Sequence, residues 1–505
     1  MVGAAEPPLL QPDIQPQDAG TVSSACGASY GTRFNLEPRV NALPQHTESV
    51  DFLRNRVAAG VDLVVGAATD LRQLGGVGSR SGYYVSRDAD CAPEFEGGLP
   101  RLTASSSEEL DGFGKPVVAA DPARGAIFTA DLRDSSSDES ASAVAIGLFR
   151  TPAATLLNAT ACPNGAHTET EAATCWPAKR LVRTGFPMLN GPHLAVDERT
   201  SGTGAGNVYL VFTDFVFGSD TTLRLVACTN SLATCSAPVT VDSIHLVLRP
   251  GHVAVRPDGQ VTITWVTGDS FGMGLRYISC TPAVPPAGPS CGNPSTVHAW
   301  FPIDVGETLA TYAQDFVLTR RPQHAHRMDA NGTETYVVWD QCKTGAGDGL
   351  TFCPDADVVM KASRDNGVTW SALTCVSCVA QDQFLPAVAA DRSRNIINIA
   401  LYSSSSDATF QRRVRLILYH ITPGGATPDP VDAHTITTLL NDPSGDPHKA
   451  VTGGGVGESL GIAARGTGVD GQSRAYVHYT YHNIQGTYNG QQVPEPNNHL
   501  SRLDY

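Results

Sequence analysis

Apolar residues along this chain fall in short runs of strand length, not in the three-and-four spacing of an amphipathic helix. One phrase recurs: an apolar run, an Asp or a substitute, a Gly-containing turn, then a β-branched and aromatic run. It appears as "PVVAADPARGAIFTADLRD" from Pro116, "PHLAVDERTSGTGAGNVYLVFTDF" from Pro192 and "GHVAVRPDGQVTITWVTGD" from Gly251. It returns as "HRMDANGTETYVVWDQC" from His326, "PAVAADRSRNIINIALYSSSSD" from Pro386 and "SLGIAARGTGVDGQSRAYVHYTYHN" from Ser459. A weaker first copy, "RVAAGVDLVVGAATDLR", starts at Arg56.

Anchored on Asp121, Asp197, Arg256, Asp329, Asp391 and Ala464, the copies lie roughly 60–75 residues apart, too long for a solenoid repeat and suited to four short strands with loops. No such unit buries both faces alone, so the units must pack around an axis. The expectation is an all-β chain folded as a single β-propeller of four-stranded blades. Seven blades are expected, or six if the first copy only completes another blade. Residues 1–36 read as an N-terminal extended segment and 37–505 as the propeller. Pairing of the tail "HLSRLDY" with "TRFNLEPRV" near the start would close the ring and remove its open edges.

Composition agrees: 49 Gly, 34 Pro and few Leu- or Lys-rich stretches suit many strands joined by turns. The net charge of −15 disfavours nucleic acid, which needs clustered Lys and Arg. No apolar run is long enough to span a membrane.

The 12 cysteines fall into close pairs, read as disulfides Cys162–Cys175, Cys228–Cys235, Cys280–Cys291, Cys342–Cys353 and Cys375–Cys378. Cys26–Cys91 is the remaining, long-range pair. Even number and local pairing suit hairpin disulfides formed in an oxidising compartment, so a secreted or periplasmic protein is expected. The Cys375-Val-Ser-Cys378 spacing also occurs in redox motifs, but it follows a Trp-bearing turn in a strand-rich region and reads as structural. The start lacks the basic region and apolar core of a signal peptide, so a mature form with an added Met is expected.

Residues Ser363-Arg-Asp365-Asn-Gly367-Val-Thr-Trp370 resemble the Asp box, S-x-D-x-G-x-x-W, of sialidase-like (BNR repeat) β-propellers. In such a turn Ser363 and Asp365 bond backbone amides, Gly367 takes a positive φ and Trp370 packs into the blade. A decayed copy begins at Ser86-Arg87-Asp88, and Cys-bearing hairpins stand near the box's expected place in several other repeats. The resemblance covers residues 37–505 and implies a box on the outer rim, between third and fourth strands, far from the axis. A sialidase of that family also carries an Arg-Ile-Pro motif near its start, an arginine triad and a Tyr–Glu pair. Here the start offers Arg33-Phe34 and Arg39-Val40 instead. The resemblance therefore speaks for the fold, not for sialic-acid hydrolysis.

Aligning the copies exposes the chemistry. The residue opening the inner strand is His193 in "GPHLAVD", His252 in "RPGHVAVR" and, with one inserted residue, His324 in "RPQHAHRMD". Elsewhere it is Val117 or Ala387, so the fold does not demand histidine there. Inner strands converge on the axis, which would gather the three rings near the pore. His326 shares the strand face of His324. Two functional readings stand: a divalent transition-metal site of His193, His252, His324 and His326, or acid/base groups with Arg249 and Arg321 clamping a substrate carboxylate. The plainer reading, held at even weight, has these histidines only bonding neighbouring backbones.

Asp214, Asp269 and Asp340 follow equivalent strands; Asp269 and Asp340 are carried as substrate-binding candidates, and turn capping is the commoner role. Trp265 and Trp339 read as blade packing, and His478 and His482 as a surface pair. The concentration of distinctive residues in the middle blades favours one central site over a lectin's repeated ones. The expected function is a secreted, carbohydrate-acting glycosidase or His-dependent polysaccharide lyase, with a glycan or small-molecule ligand and no obligate oligomer. A non-catalytic lectin or an adhesion module is the alternative.

Overall fold

The structure is a computed structural model. It describes residues 28–29, 45–70, 79–87, 93–105, 108–134, 144–163, 168–182, 188–215, 221–243, 246–269, 272–300, 309–312, 317–319, 322–329, 332–342, 352–353, 356–391, 396–407, 413–421, 430–437, 459–467, 471, 473–488 and 491–504.

Each repeat forms an antiparallel sheet whose strands follow chain order from the axis outward, and seven such blades make the propeller. The inner strands are Gln45–Ala58, Glu108–Asp121, Met188–Val196, Leu246–Val255, Gln323–Asp329, Gln383–Asp391 and Gly461–Arg465, in blades 1 to 7. Each contacts the inner strand of the next, and the seventh contacts the first. The ring is closed by Ala28–Ser29, which pairs outside Gln491–Asp504 in blade 7 with Ala28 opposite Leu500. The expected tail "HLSRLDY" thus takes part, but its partner precedes "TRFNLEPRV", which lies outside the described residues. Ala28–Ser29 also falls on the outer side of the domain boundary expected at residue 36.

Burial explains the repeated phrase. Second strands such as Ala126–Asp134 are buried throughout, so they read as continuous apolar runs. Each apolar core is a wedge between two consecutive blades. Leu53, Tyr83 and Val118 join blades 1 and 2, while Tyr209, Val253 and Trp265 join blades 3 and 4. Val50 and Tyr476 join blade 7 to blade 1. Trp265 and Trp339 are buried in such wedges, as expected.

The residues after the anchor Asp have a job too. Arg124 bonds its own Asp121 and the Arg199 carbonyl of blade 3, and Arg199 chelates Asp197 and reaches the Asp258 carbonyl of blade 4. These arginines staple the first-to-second-strand turns of adjacent blades along one face.

The turn at 363–370 joins the third and fourth strands of blade 5, Ala356–Ser363 and Thr374–Ser377. Gly367 N–H donates to Ser363 Oγ at 2.8 Å, and Thr369 N–H to Asp365 Oδ1 at 2.8 Å. Trp370 packs edge-on against Tyr277 of blade 4, centroids 5.3 Å apart, and joins a cluster drawn from blades 4 and 5, so it locks the two blades together. Gly367 has φ +82°, and a Cβ there would lie 2.3 Å from Tyr277 Cδ1. Gly367→Ala is expected to lower stability by about 1–3 kcal/mol, read from the thermal unfolding midpoint. An unchanged midpoint would show that the turn yields freely.

Four disulfides are present among the described residues, between nearby cysteines as expected: Cys162–Cys175, Cys228–Cys235, Cys280–Cys291 and Cys375–Cys378. The first ties a two-helix insertion, Ala153–Leu156 and Glu169–Cys175, rather than a hairpin. In blades 2, 3 and 4 the crosslink occupies the third-to-fourth-strand connection, where blade 5 has its Ser/Asp turn. Cys26, Cys91 and the side chains of Cys342 and Cys353 lie outside the described residues. No described helix is long and apolar enough to cross a membrane.

Candidate functional site

All seven inner strands line one central cavity of about 490 Å³. Where an inner strand is the edge of its sheet, the backbone amides on its free side have no ladder partner. Side chains of the preceding blade cap them. Val118 N–H donates to Ser49 Oγ at 3.0 Å, Ala120 N–H to Asp51 Oδ2 at 2.7 Å, and Val388 N–H to Gln323 Oε1 at 3.2 Å. In the middle blades histidines do this work: Val253 N–H donates to His193 Nδ1 at 3.4 Å and His324 N–H to His252 Nδ1 at 3.5 Å.

The three histidines do meet. Ring centroids of His193 and His252 are 4.1 Å apart, and those of His252 and His324 are 4.8 Å apart. The Nδ1 atoms of His252 and His324 approach to 3.1 Å. His326 lies 5.3 Å from His324, ring to ring, and both place Nε2 on the Thr262 hydroxyl, at 2.6 and 2.8 Å. His324 Nδ1 also contacts Thr264 Oγ1 at 3.0 Å, and His326 Nδ1 contacts Thr335 Oγ1 at 3.0 Å. His324 and His326 are buried, while His193 and His252 are partly exposed residues that line the cavity. Burial, with the neighbouring imidazoles, holds His252 well below the usual histidine range. Burial and His193 push His324 down to about 3.

This geometry does not suit the expected metal. Among the described residues no three His, Cys, Asp or Glu side chains are arranged around a common ion position. The reason is local: the Nδ1 atoms point at one another or at backbone amides, and the Nε2 atoms of His324 and His326 meet at one hydroxyl.

Of the other expected residues, Arg249 lies in the blade 4 inner strand with its side chain outside the described set, and Arg321 lies wholly outside it. Asp340 is buried in the second strand of blade 5, opposite Val358, and does not line the cavity. Asp269 ends the second strand of blade 4, its side chain undescribed. Asp214 is no turn cap; it sits within a ladder and accepts from Arg224 Nε at 2.9 Å. His478 is not on the surface but fully buried between blades 7 and 1, donating from Nδ1 to the Ser49 carbonyl at 2.9 Å. The side chain of His482 lies outside the described residues.

Sequence reasoning missed Asp51. It lines the cavity from blade 1, and burial pushes its carboxyl up to about 7 despite bonds from Ala120 N–H and Phe52 N–H. The signal existed: the equivalent inner-strand positions in the other six blades are Ala119, Ala195, Ala254, Ala325, Ala389 and Ala463. It was hidden because the repeat phrase in blade 1 was anchored at Arg56, beyond a register shift between Leu53 and Ala58.

No protein-family model matches the chain, and no curated protein matches it in sequence. Solved structures do resemble it. A polysaccharide lyase described as an ulvan lyase is 8% identical, with TM-score 0.44, covering 93% of this chain and 96% of its own. The polysaccharide lyase Uly1 is 9% identical, with TM-score 0.45, covering 95% and 98%. The intramolecular trans-sialidase from Ruminococcus gnavus is 11% identical, with TM-score 0.38, covering 94% and 98%.

Proposed function

We propose that the protein is a secreted, carbohydrate-acting enzyme with a single site in the central channel. The observation that carries this is the contact of His193, His252 and His324 from three successive blades in a cavity large enough for a sugar. Other blades put small or aliphatic residues at the same position, so the cluster is a local departure from the repeat. The sugar assignment rests on the resemblance of residues 363–370 to the Asp box of sialidase-like propellers, and four local disulfides fit an extracellular setting.

Within the site, a carboxyl held near 7 is poised to exchange protons at neutral pH, and Asp51 takes that role. Neutral imidazoles beside a tuned carboxyl suit elimination, in which one group takes a proton and another returns it. Glu48 also lines the cavity, with its carboxyl raised by burial and one oxygen engaged by the Thr480 hydroxyl. A polysaccharide lyase is therefore the favoured class, and Arg249 is the candidate clamp on the substrate carboxylate.

A panel of polysaccharides followed by unsaturated-uronate absorbance, beside umbelliferyl glycosides, tests this. Turnover of an acidic chain is expected, with His252→Ala lowering it by about 10²-fold or more. One feature favours a lectin as second reading: the ring nitrogens of His324 and His326 are all engaged inside the protein. Glycan binding without turnover of any substrate would establish that reading instead.

A further inference from the structure

Blade 1 departs from the repeat twice within one strand. Asp51 stands where the other six blades carry alanine. Glu48, three residues earlier, stands where they carry Pro116, Pro192, Gly251, Pro322, Pro386 and Leu460. The fold therefore demands neither carboxyl, and both residues line the channel. A strand rises about 3.3 Å per residue, so their Cα atoms stand at most about 10 Å apart, less for the bulge between His46 and Ser49. Paired carboxyls that serve one glycosidic bond are roughly 5–10 Å apart.

The two carboxyls have unlike surroundings. Glu48 is 2% exposed, and among the described residues no cation pairs with it. Its Oε1 accepts from the Thr480 hydroxyl of blade 7. Thr480 is itself fixed by Tyr402 of blade 6, whose hydroxyl accepts from its N–H at 3.1 Å and donates to its carbonyl at 2.9 Å. Ser459 Oγ holds the Glu48 carbonyl at 3.0 Å. The other carboxyl oxygen, Oε2, is buried and has no hydrogen-bond partner among the described residues. A folded protein seldom leaves such an atom without a use. Burial raises Glu48 well above the usual carboxylate range. Burial raises Asp51 as well, to about 7, but the N–H groups of Ala120 and Phe52 donate to it at 2.7 and 2.8 Å and favour its anion. One environment thus keeps a proton on its carboxyl and the other prepares a carboxylate to accept one, which is how an acid and a base are told apart in a two-carboxyl site.

We propose that Glu48 is a catalytic residue, the acid that protonates the departing glycosidic oxygen, and that Asp51 is its base. This rests on the carbohydrate-acting reading of the channel given above and supplies its second proton-transferring group. In the elimination favoured there, Asp51 takes the proton from the ring carbon beside the sugar's carboxylate. The electron pair of that C–H bond forms the ring double bond, and the C–O bond to the next sugar breaks. The pair left on the oxygen takes the proton of the Glu48 carboxyl. Glu48 ends as the anion and Asp51 as the acid, and exchange with water resets both. Hydrolysis at the same bond would draw on the same Glu48 proton. Thr480 is a positioning residue: its hydroxyl holds Oε1 and leaves Oε2 for the departing oxygen.

Glu48→Gln in the full chain tests this, assayed on an acidic polysaccharide and on a matched sugar whose leaving group is a nitrophenol. The polysaccharide needs its oxygen protonated, so kcat should fall by about 10²-fold or more. Nitrophenolate leaves without a proton, so kcat there should fall by less than about threefold. Difference infrared spectra at about pH 7 should show the carbonyl stretch of a neutral carboxylic acid in the parent and not in the variant. Glutamine matches a neutral carboxyl in size, so the thermal unfolding midpoint should stay where it is. A variant as fast as the parent on the polysaccharide, an equal loss on both substrates, or a carboxylate band in place of the neutral one would each overturn the acid assignment and leave the enzyme reading standing. A lowered midpoint would overturn it too, since the fold would then be using Glu48 as an anion. A parent that turns over neither substrate would overturn the enzyme reading and this assignment with it.

Discussion

Arg133→Ala is expected to destabilise the protein by about 3–5 kcal/mol, because it strands a buried carboxylate. Arg133 and Asp131 are both fully buried in the second strand of blade 2, with Nε 2.6 Å from Oδ1. The guanidinium also donates to the Pro100 carbonyl at 2.9 Å and lies 4.7 Å from the centroid of the Phe149 ring. Room for the pair is reserved by glycine: a Cβ on Gly147 would lie 2.7 Å from both Arg133 Nε and Asp131 Oδ1. Burial already pushes the Asp131 carboxyl up to about 6, with Arg133 pulling it back. Without the arginine's charge only the Ser81 hydroxyl still opposes burial, and the carboxyl must protonate or stay charged without a counter-ion. Urea unfolding of Arg133→Ala beside an Arg133→Met/Asp131→Leu double variant separates pairing from net gain. The double variant should recover most of the loss, since a buried ion pair is worth little against well-packed apolar groups. A single variant within about 1 kcal/mol of the parent would mean that water reaches Asp131 and the wedge is not sealed.

The repeat made the ring legible because a propeller uses each sequence position for the same job seven times. The anchor Asp residues end inner strands, the following Gly turns reverse the chain, and the next apolar run is the doubly buried second strand. The same register placed His193 and His252 at one level of the axis. In blade 5 that level is held by Gln323, which caps Val388 N–H as His193 caps Val253 N–H, and His324, one residue further on, still contacts His252. What stayed hidden depends on neighbours that no single repeat contains. Trp370 packs into its blade as expected, but its edge-on contact with Tyr277 of the preceding blade is a partner that its own repeat does not contain. His478 sits four residues before His482 on a strand that reads as half exposed, and only the closing of blade 7 on blade 1 buries it. Asp214 looks like a turn residue until Arg224, on the adjacent strand, is seen to neutralise it. The metal expectation meets a related obstacle. Spacing showed that the imidazoles would converge, but not that backbone amides would claim their Nδ1 lone pairs.

His478 should give the fold a measurable acid sensitivity at the seam where the ring closes. Its ring is fully buried, packed edge-on to Tyr84 and against Gly66, where a Cβ would lie 3.0 Å away. Burial pushes it down to about 4, although the bond to the Ser49 carbonyl favours the charged form. An unfolded chain protonates its histidines near 6.5, so between about pH 6.5 and 4 the unfolded state binds a proton that the folded state refuses. Stability from this residue is complete above that window, falls as pH drops through it, and levels off below. The loss amounts to about 3 kcal/mol. Asp51 works in the opposite direction. Its folded carboxyl, raised to about 7, holds a proton in a range where the unfolded chain has lost it, so acid stabilises the fold there. The two overlap in the whole-protein curve and separate only by difference. His478→Asn keeps an N–H donor for the Ser49 carbonyl and removes the titrating ring. At about pH 7.5 the parent should be the more stable, since the variant has lost buried ring volume. That advantage should shrink by about 3 kcal/mol by pH 4, measured as the gap between denaturant-unfolding free energies. Parallel curves across the window would mean that His478 titrates as it does in water, and that the seam between blades 7 and 1 is open to solvent.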